Sequence, residues 1–237
     1  MNMFAPFIQY LMHSGISEYT IILLLFLPVV TALITIARYV IGWRAINIYT
    51  TLLLAYALFD LGYIRKGSIN YVNTILYGGI LVALTSSIAI MFHTLLHNLR
   101  LHYLSKVSIV TSFATIGVFI LLFASTFINQ ISLSMINPLT ILMFIVSVEA
   151  LVKSYVRHGV KKAARLMIST IMLTSLIFIL MSQEVLQNAL IDYPEIALLM
   201  IIVSFLVGKW RGLKLVEYIR FRNILNQDSY DPEDISE

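Results

Sequence analysis

The sequence predicts an all-α integral membrane protein, a polytopic bundle of seven transmembrane helices with its N-terminus outside and its C-terminus in the cytosol. Three observations predict it. Hydrophobic residues make up 59% of the chain and charged residues 12%, the latter about half the share of a soluble domain. Apolar runs longer than the roughly 18 residues needed to span a bilayer recur along most of the chain, leaving no room for a soluble globular domain. Lys and Arg also alternate between successive connections. All basic residues except Arg65 and Lys66 fall on one side, which the positive-inside rule assigns to the cytosol.

Residues 1–17 precede the first span and read as an outer interfacial segment, carrying Pro6, His13 and Gly15. The seven spans of the domain at 18–225 are expected at about 18–41, 46–64, 69–96, 104–128, 137–158, 163–186 and 194–212. The first also serves as an uncleaved signal. It carries Pro28, which removes a backbone hydrogen bond and predicts a kink. Near its cytosolic end stands Arg38, which either snorkels to the interface or joins an ion pair inside the bundle. The second span holds Tyr56 and, near its outer end, Asp60, close enough to Arg65 and Lys66 to read as an ordinary surface group. In the third, Gly78-Gly79 permits close helix contact. His93 and His97 lie one turn apart, but lack a third ligand beyond His102, so they read as interfacial and no metal site is expected.

The fourth span is plainly apolar and suits lipid. The fifth opens at Asn137-Pro138 and carries Glu149, Lys153 and Arg157 along one stripe. Glu149 lies about 17 Å along that helix at 1.5 Å per residue, inside the membrane, so it must be protonated or paired. Its partners in reach are Lys153, four residues on, and Arg38 from the first span; a proton or substrate relay is the third reading. The sixth span opens with Lys161, Lys162 and Arg165 and ends in Ser182-Gln183-Glu184. The seventh starts at Tyr193-Pro194-Glu195, where proline suits a first helical turn, and breaks at Gly208. Its apolar part rises only about 20 Å against a hydrocarbon core of about 30 Å, so flanking residues must complete the crossing. The break reads either as an interfacial anchor, with Trp210 at headgroup depth and Lys209 and Arg211 reaching toward phosphates, or as a site-forming break, and a basic helix follows through Glu217, Arg220 and Arg222. Residues 226–237 hold five acids and few apolar residues and read as a disordered tail.

The net charge of +4 is thus orientation and lipid contact, and no basic-aromatic stripe suggests nucleic acid. The absence of cysteine excludes disulfides and thiolate chemistry. Phosphate loops, zinc-protease helices and nucleophile elbows are missing as well. Neither a catalytic centre nor a cofactor is expected.

Two stretches carry a family resemblance. Leu27-Pro28 with Ile36-Ala37-Arg38-Tyr39-Val40-Ile41-Gly42, and Tyr193-Pro194-Glu195 with Gly208, Gly212, Leu213, Glu217, Tyr218, Arg220, Phe221 and Arg222, resemble the start and end of a bacterial family. It is the seven-transmembrane domain usually fused to an inactive transglutaminase-like domain, and the resemblance covers about residues 18–225. The chain departs from that pattern after the first motif, reading Trp43-Arg44-Ala45-Ile46-Asn47. With seventeen residues before the first span, whatever a transglutaminase-like domain contributes is expected to come from a separate extracytoplasmic protein or to be dispensable. The resemblance implies a multi-pass protein of the bacterial inner membrane, working beside a cytosolic ATP-grasp ligase of the glutamate-adding type. From this comes the expectation of a non-enzymatic subunit that scaffolds the ligase or provides its conduit. The alternative is a small-solute or peptide transporter, suggested by Pro28, the break at Gly208 and intramembrane charge.

Overall fold

The computed structural model describes residues 5–63, 71–95, 103–127 and 137–209. Among them all regular structure is helical. A short helix α1 (Ala5–His13) precedes α2 (Glu18–Ile36), which continues as a π-helical turn (Ala37–Ile41); α3 (Ile48–Tyr63), α4 (Tyr71–Leu95), α5 (Tyr103–Phe127), α6 (Pro138–His158) and α7 (Val160–Met181) follow. Then come α8 (Glu184–Asp192) and α9 (Glu195–Gly208).

Local chemistry fixes most of these starts and stops. The Ser17 hydroxyl accepts the Thr20 N–H at 3.3 Å at the head of α2. Asn137 does the same for α6, accepting the Leu139 N–H at 3.1 Å, with Pro138 in the first turn where no partner is lost. α2 runs through Pro28 as one helix. Proline leaves the Leu24 carbonyl without its donor, and just upstream the Tyr56 hydroxyl of α3 donates to the Leu23 carbonyl at 2.8 Å. On the other side Thr31 donates to the Leu27 and Pro28 carbonyls, at 3.0 Å each.

The larger core joins α2, α3, α4, α6, α7 and α8 around Phe26, Leu58, Phe144 and Phe178. A smaller one joins α4, α5 and α6 through Ala89, Val110, Ala114, Val148 and Val152. α3 lies against α2, α4, α6 and α7, while α9 packs along α2. The Gly78-Gly79 pair divides its labour. A Cβ at Gly78 would come within 2.0 Å of Leu58 Cδ2, so a side chain there would make Leu58 shift; Gly79 faces open space.

Four described helices have the length and composition of a membrane span: 18–41, 71–95, 138–155 and 161–181. A fifth results if α8 and α9 are one bent span. The expectation of seven is therefore met only in its all-helical, multi-span part. The second span shows why. The described part of α3 has 16 residues, about 24 Å at 1.5 Å each against a hydrocarbon core of ~30 Å, and residues 64–70 that follow lie outside the described residues. The described apolar stretch of the fourth span is limited to residues 108–120.

Two boundaries differ from expectation. The sixth span ends at Met181 rather than near 186, because Gln183 takes an extended conformation (φ −75°, ψ 117°) and Glu184 begins a separate helix. Gln187 closes the turn, its side-chain amide donating to the Met181 carbonyl at 2.8 Å. α8 meets α9 at 99°, so it crosses the end of the bundle instead of lengthening the short α9. In the N-terminal segment, α1 packs against α8 and buries Ile8.

Candidate functional site

Polar groups near both ends of the bundle tie helices together. At the end where α2 begins, the Asp60 carboxylate of α3 is half-buried. The Tyr19 hydroxyl of α2 donates to Oδ1 at 2.6 Å, and the Thr140 hydroxyl of α6 donates to Oδ2. Phe59 holds the tyrosine ring in place, stacked nearly parallel at 6.1 Å between centroids. Asp60 is thus no ordinary surface group. Its placement follows from chain direction, since α3 finishes at the end where α2 and α6 start. Sequence reading missed it because Arg65 and Lys66, outside the described residues, offered a nearer explanation.

At the opposite end α2 widens into its π-turn and stops at Gly42, whose φ of +88° lies in the left-handed region that favours glycine. The Trp43 N–H closes the turn on the Ala37 carbonyl at 2.8 Å. The chain reversal carries the indole to α7, where Nε1–H donates to the Ser169 carbonyl at 3.0 Å. Three residues later the Ile46 N–H donates to the Thr170 hydroxyl at 3.1 Å, and that hydroxyl donates onward to the Leu166 carbonyl at 2.7 Å. The stretch Ala37-Arg38-Tyr39-Val40-Ile41-Gly42-Trp43 is therefore a docking turn onto α7, beyond any role as an interfacial anchor. Arg38 is half-buried on the π-turn.

Glu149 takes the nearer of its expected partners. Its Oε1 lies 2.6 Å from Lys153 Nζ, and both side chains stay partly exposed, 30% and 44%. Among the described residues no ion pair joins Arg38 to Glu149. A carboxylate in a membrane interior costs about 2.5–3.5 kcal/mol on insertion scales, which the adjacent ammonium reduces. His93 packs edge-on to Tyr155, ring centroids 6.4 Å apart, while His97 and His102 lie outside the described residues. Glu195 sits in the first turn of α9, where an acid suits the positive end of the helix dipole.

Gly208 is the last residue of α9, with open space where a Cβ would stand, so packing does not demand glycine there. Lys209 caps the helix and lays its amino group 4.5 Å from the Phe205 ring centroid. Trp210, Arg211, Glu217, Arg220 and Arg222 lie outside the described residues. Where α3, α4, α6 and α7 meet, Leu54, Leu58, Val82, Phe144 and Thr174 line a small and nearly all-apolar recess.

The π-turn and its stop at Gly42 fall on the stretch that carries the family resemblance at the start of the domain, and the ties through Trp43 and Ile46 follow directly after it. A family model described as seven transmembrane helices usually fused to an inactive transglutaminase matches residues 9–225. The chain belongs to that family. Its match takes in every described helix from α2 to α9, and both the docking turn and the Pro194 start of α9 fall within it. No curated protein and no solved structure matches the chain. Membership of this seven-transmembrane family, together with its apolar helices, makes the chain a membrane protein.

Proposed function

We propose that this member of the seven-transmembrane family is a non-enzymatic subunit of the bacterial cytoplasmic membrane, scaffolding a cytosolic ATP-grasp ligase of the glutamate-adding type. It crosses the bilayer seven times, N-terminus outside, and works with a separate extracytoplasmic transglutaminase-like protein. The observation that carries the reading is a charge asymmetry between the ends of the bundle. Arg44, Arg157, Lys161, Lys162, Arg165 and Lys209 are exposed at the Trp43 end, whereas Glu18, Glu184 and Asp192 are exposed at the other. Exposed basic residues favour the cytosolic leaflet and its anionic lipids, and the same ledge suits an acidic cytosolic partner. The polar groups best placed for chemistry, Asp60 and Thr170, are already engaged in helix ties, as in a rigid support.

Affinity purification from native membranes tests this directly. Recovery of an ATP-grasp protein, lost on charge reversal at Lys161 and Lys162 while insertion stays normal, is the expected result; its absence from native membranes would count against the scaffold. The second reading, a transporter, draws support from the 99° bend between α8 and α9, since broken helices build transport sites. Its prediction is substrate uptake by proteoliposomes containing the purified chain alone.

A further inference from the structure

We infer that Arg38 binds the phosphate of a net-anionic phospholipid where the π-turn of α2 meets the end of α9, with Lys209 as the second cation. The inference rests on the membrane crossing in the reading above and not on the ligase. Arg38 stands at the head of an outward stripe on α2. Leu24 and Leu27 are 70% and 49% exposed, and Thr31, Thr35 and Arg38 continue from them in steps of three and four residues, the spacing of one helix face. Both threonine hydroxyls donate to carbonyls of α2 itself, so the first group on this stripe that asks for an outside partner is the arginine. From Glu18, exposed at the start of α2, to Arg38 the rise is about 30 Å at 1.5 Å per residue, the thickness of the hydrocarbon core. Arg38 therefore lies at the depth of lipid phosphates.

Its guanidinium carries five N–H donors in a planar fork and no acceptor. Packing against α9 and the fixed turn leave it half-buried, yet among the described residues no ion pair or hydrogen bond engages it. Glu149 lies beside Lys153, and the other described acids stand at the opposite end of the bundle. A partly covered charge needs a counter-ion, and at this depth the anion within reach is a lipid phosphate, whose paired oxygens match the fork. The turn is held in place by Gly42 and by the Trp43 indole on the Ser169 carbonyl. α9 packs against this turn and ends at Gly208, with open space where a Cβ would stand, and Lys209 caps it. A second positive charge there favours a net-negative headgroup over a zwitterionic one. Leu24 and Leu27 offer acyl chains a contact that free phosphate cannot use.

The test titrates the purified, delipidated chain in detergent with dioleoylphosphatidylglycerol or dioleoylphosphatidylcholine, reading bound lipid by native mass spectrometry. Phosphatidylglycerol should bind roughly tenfold more tightly or better. Arg38→Gln should lose about tenfold of that affinity, and Arg38→Lys, which keeps the charge without the fork, part of it. Lys162→Gln, an exposed cation on α7, should leave it within about twofold. Equal losses at Arg38 and Lys162, or no preference for phosphatidylglycerol, would reduce the site to diffuse surface charge and overturn the inference. Inorganic phosphate at the same concentration should not displace the lipid; if it did, the site would take a free anion and the lipid assignment would fall. Thermal unfolding without added lipid is the second readout. Arg38→Gln should melt within about 2 °C of the parent, since no bond inside the described bundle is lost, whereas a large drop would show a protein partner and also overturn the inference. None of these outcomes depends on recovering a ligase, so the two readings fail separately.

Discussion

Asp60 offers the sharpest quantitative test, because one carboxylate joins three helices. Tyr19→Phe removes a single donor and keeps the ring that stacks on Phe59 at 6.1 Å. Hydrogen bonds to charged groups contribute about 1.5–3 kcal/mol in soluble proteins, whereas interhelical ones in membranes average about 0.6 and reach about 1.7. Asp60 is half-buried near the end of α3, between those settings. Tyr19→Phe and Thr140→Val should each cost about 1–1.7 kcal/mol, and Asp60→Ala, which removes the acceptor for both hydroxyls, about 2–3 kcal/mol. For a chain of this size 1 kcal/mol is about 2–4 °C in Tm, so the alanine variant should melt roughly 4–12 °C lower. The assay is thermal unfolding of the detergent-solubilised protein. In the Asp60→Ala background, Tyr19→Phe should cost almost nothing, which gives a coupling of about 1 kcal/mol or more. If Tyr19→Phe cost the same in both backgrounds, the bond would not be holding α2 to α3, and the reasoning would fail.

Three further outcomes follow from particular contacts, all measured by the same unfolding assay. Thr170→Val leaves the Ile46 N–H without its acceptor and should cost about 1–3 kcal/mol, whereas Thr170→Ser, which keeps the hydroxyl, should lose little; equal losses would discard the tie. Gly42→Ala forces a side chain into the left-handed region and should cost about 1–2 kcal/mol, with Trp43→Phe costing about 1 kcal/mol for the lost indole donor. Gly78→Ala should destabilise by about 1–3 kcal/mol through its clash with Leu58. Gly79→Ala has the opposite sign. Its open surroundings leave only the helix propensity gain, up to about 1 kcal/mol, so a matching loss at both glycines would refute the close approach of α3 and α4.

The helices were legible in the sequence because hydropathy and caps are local. Asn137-Pro138 and Tyr193-Pro194-Glu195 announce their helices in three residues or fewer, and α6 and α9 begin there. The Glu149 and Lys153 pair was readable too, being set by four residues of spacing. What escaped the sequence is what depends on distant segments. Asp60 takes its donors from residues 41 and 80 positions away, and nothing near it in the chain says so. α8 was lost for a different reason. Glu184 closes a polar stretch, Ser182-Gln183-Glu184, that reads as a helix end, yet it opens a new helix whose buried Leu190 faces the core. The acid in a first turn was the available signal.

α2 joins the two ends of the domain. One end of α2 is tied through Tyr19 to Asp60, its middle through the Leu23 carbonyl to Tyr56, and its far end through Trp43 to α7. Its flank is covered by α9. The tie from Trp43 to Ser169 joins residues 126 apart, so the first long helix made is locked only after α7 exists, and flanked only after α9 does. α9 in turn has 14 residues, about 21 Å of rise and short of a full hydrocarbon crossing. Packing along α2 compensates for that shortness with apolar contact, which extends to the π-turn at the end of α2. A proline-started last helix and a glycine-stopped first helix are thus two halves of one interface, and a sequence change at either one is felt at the other.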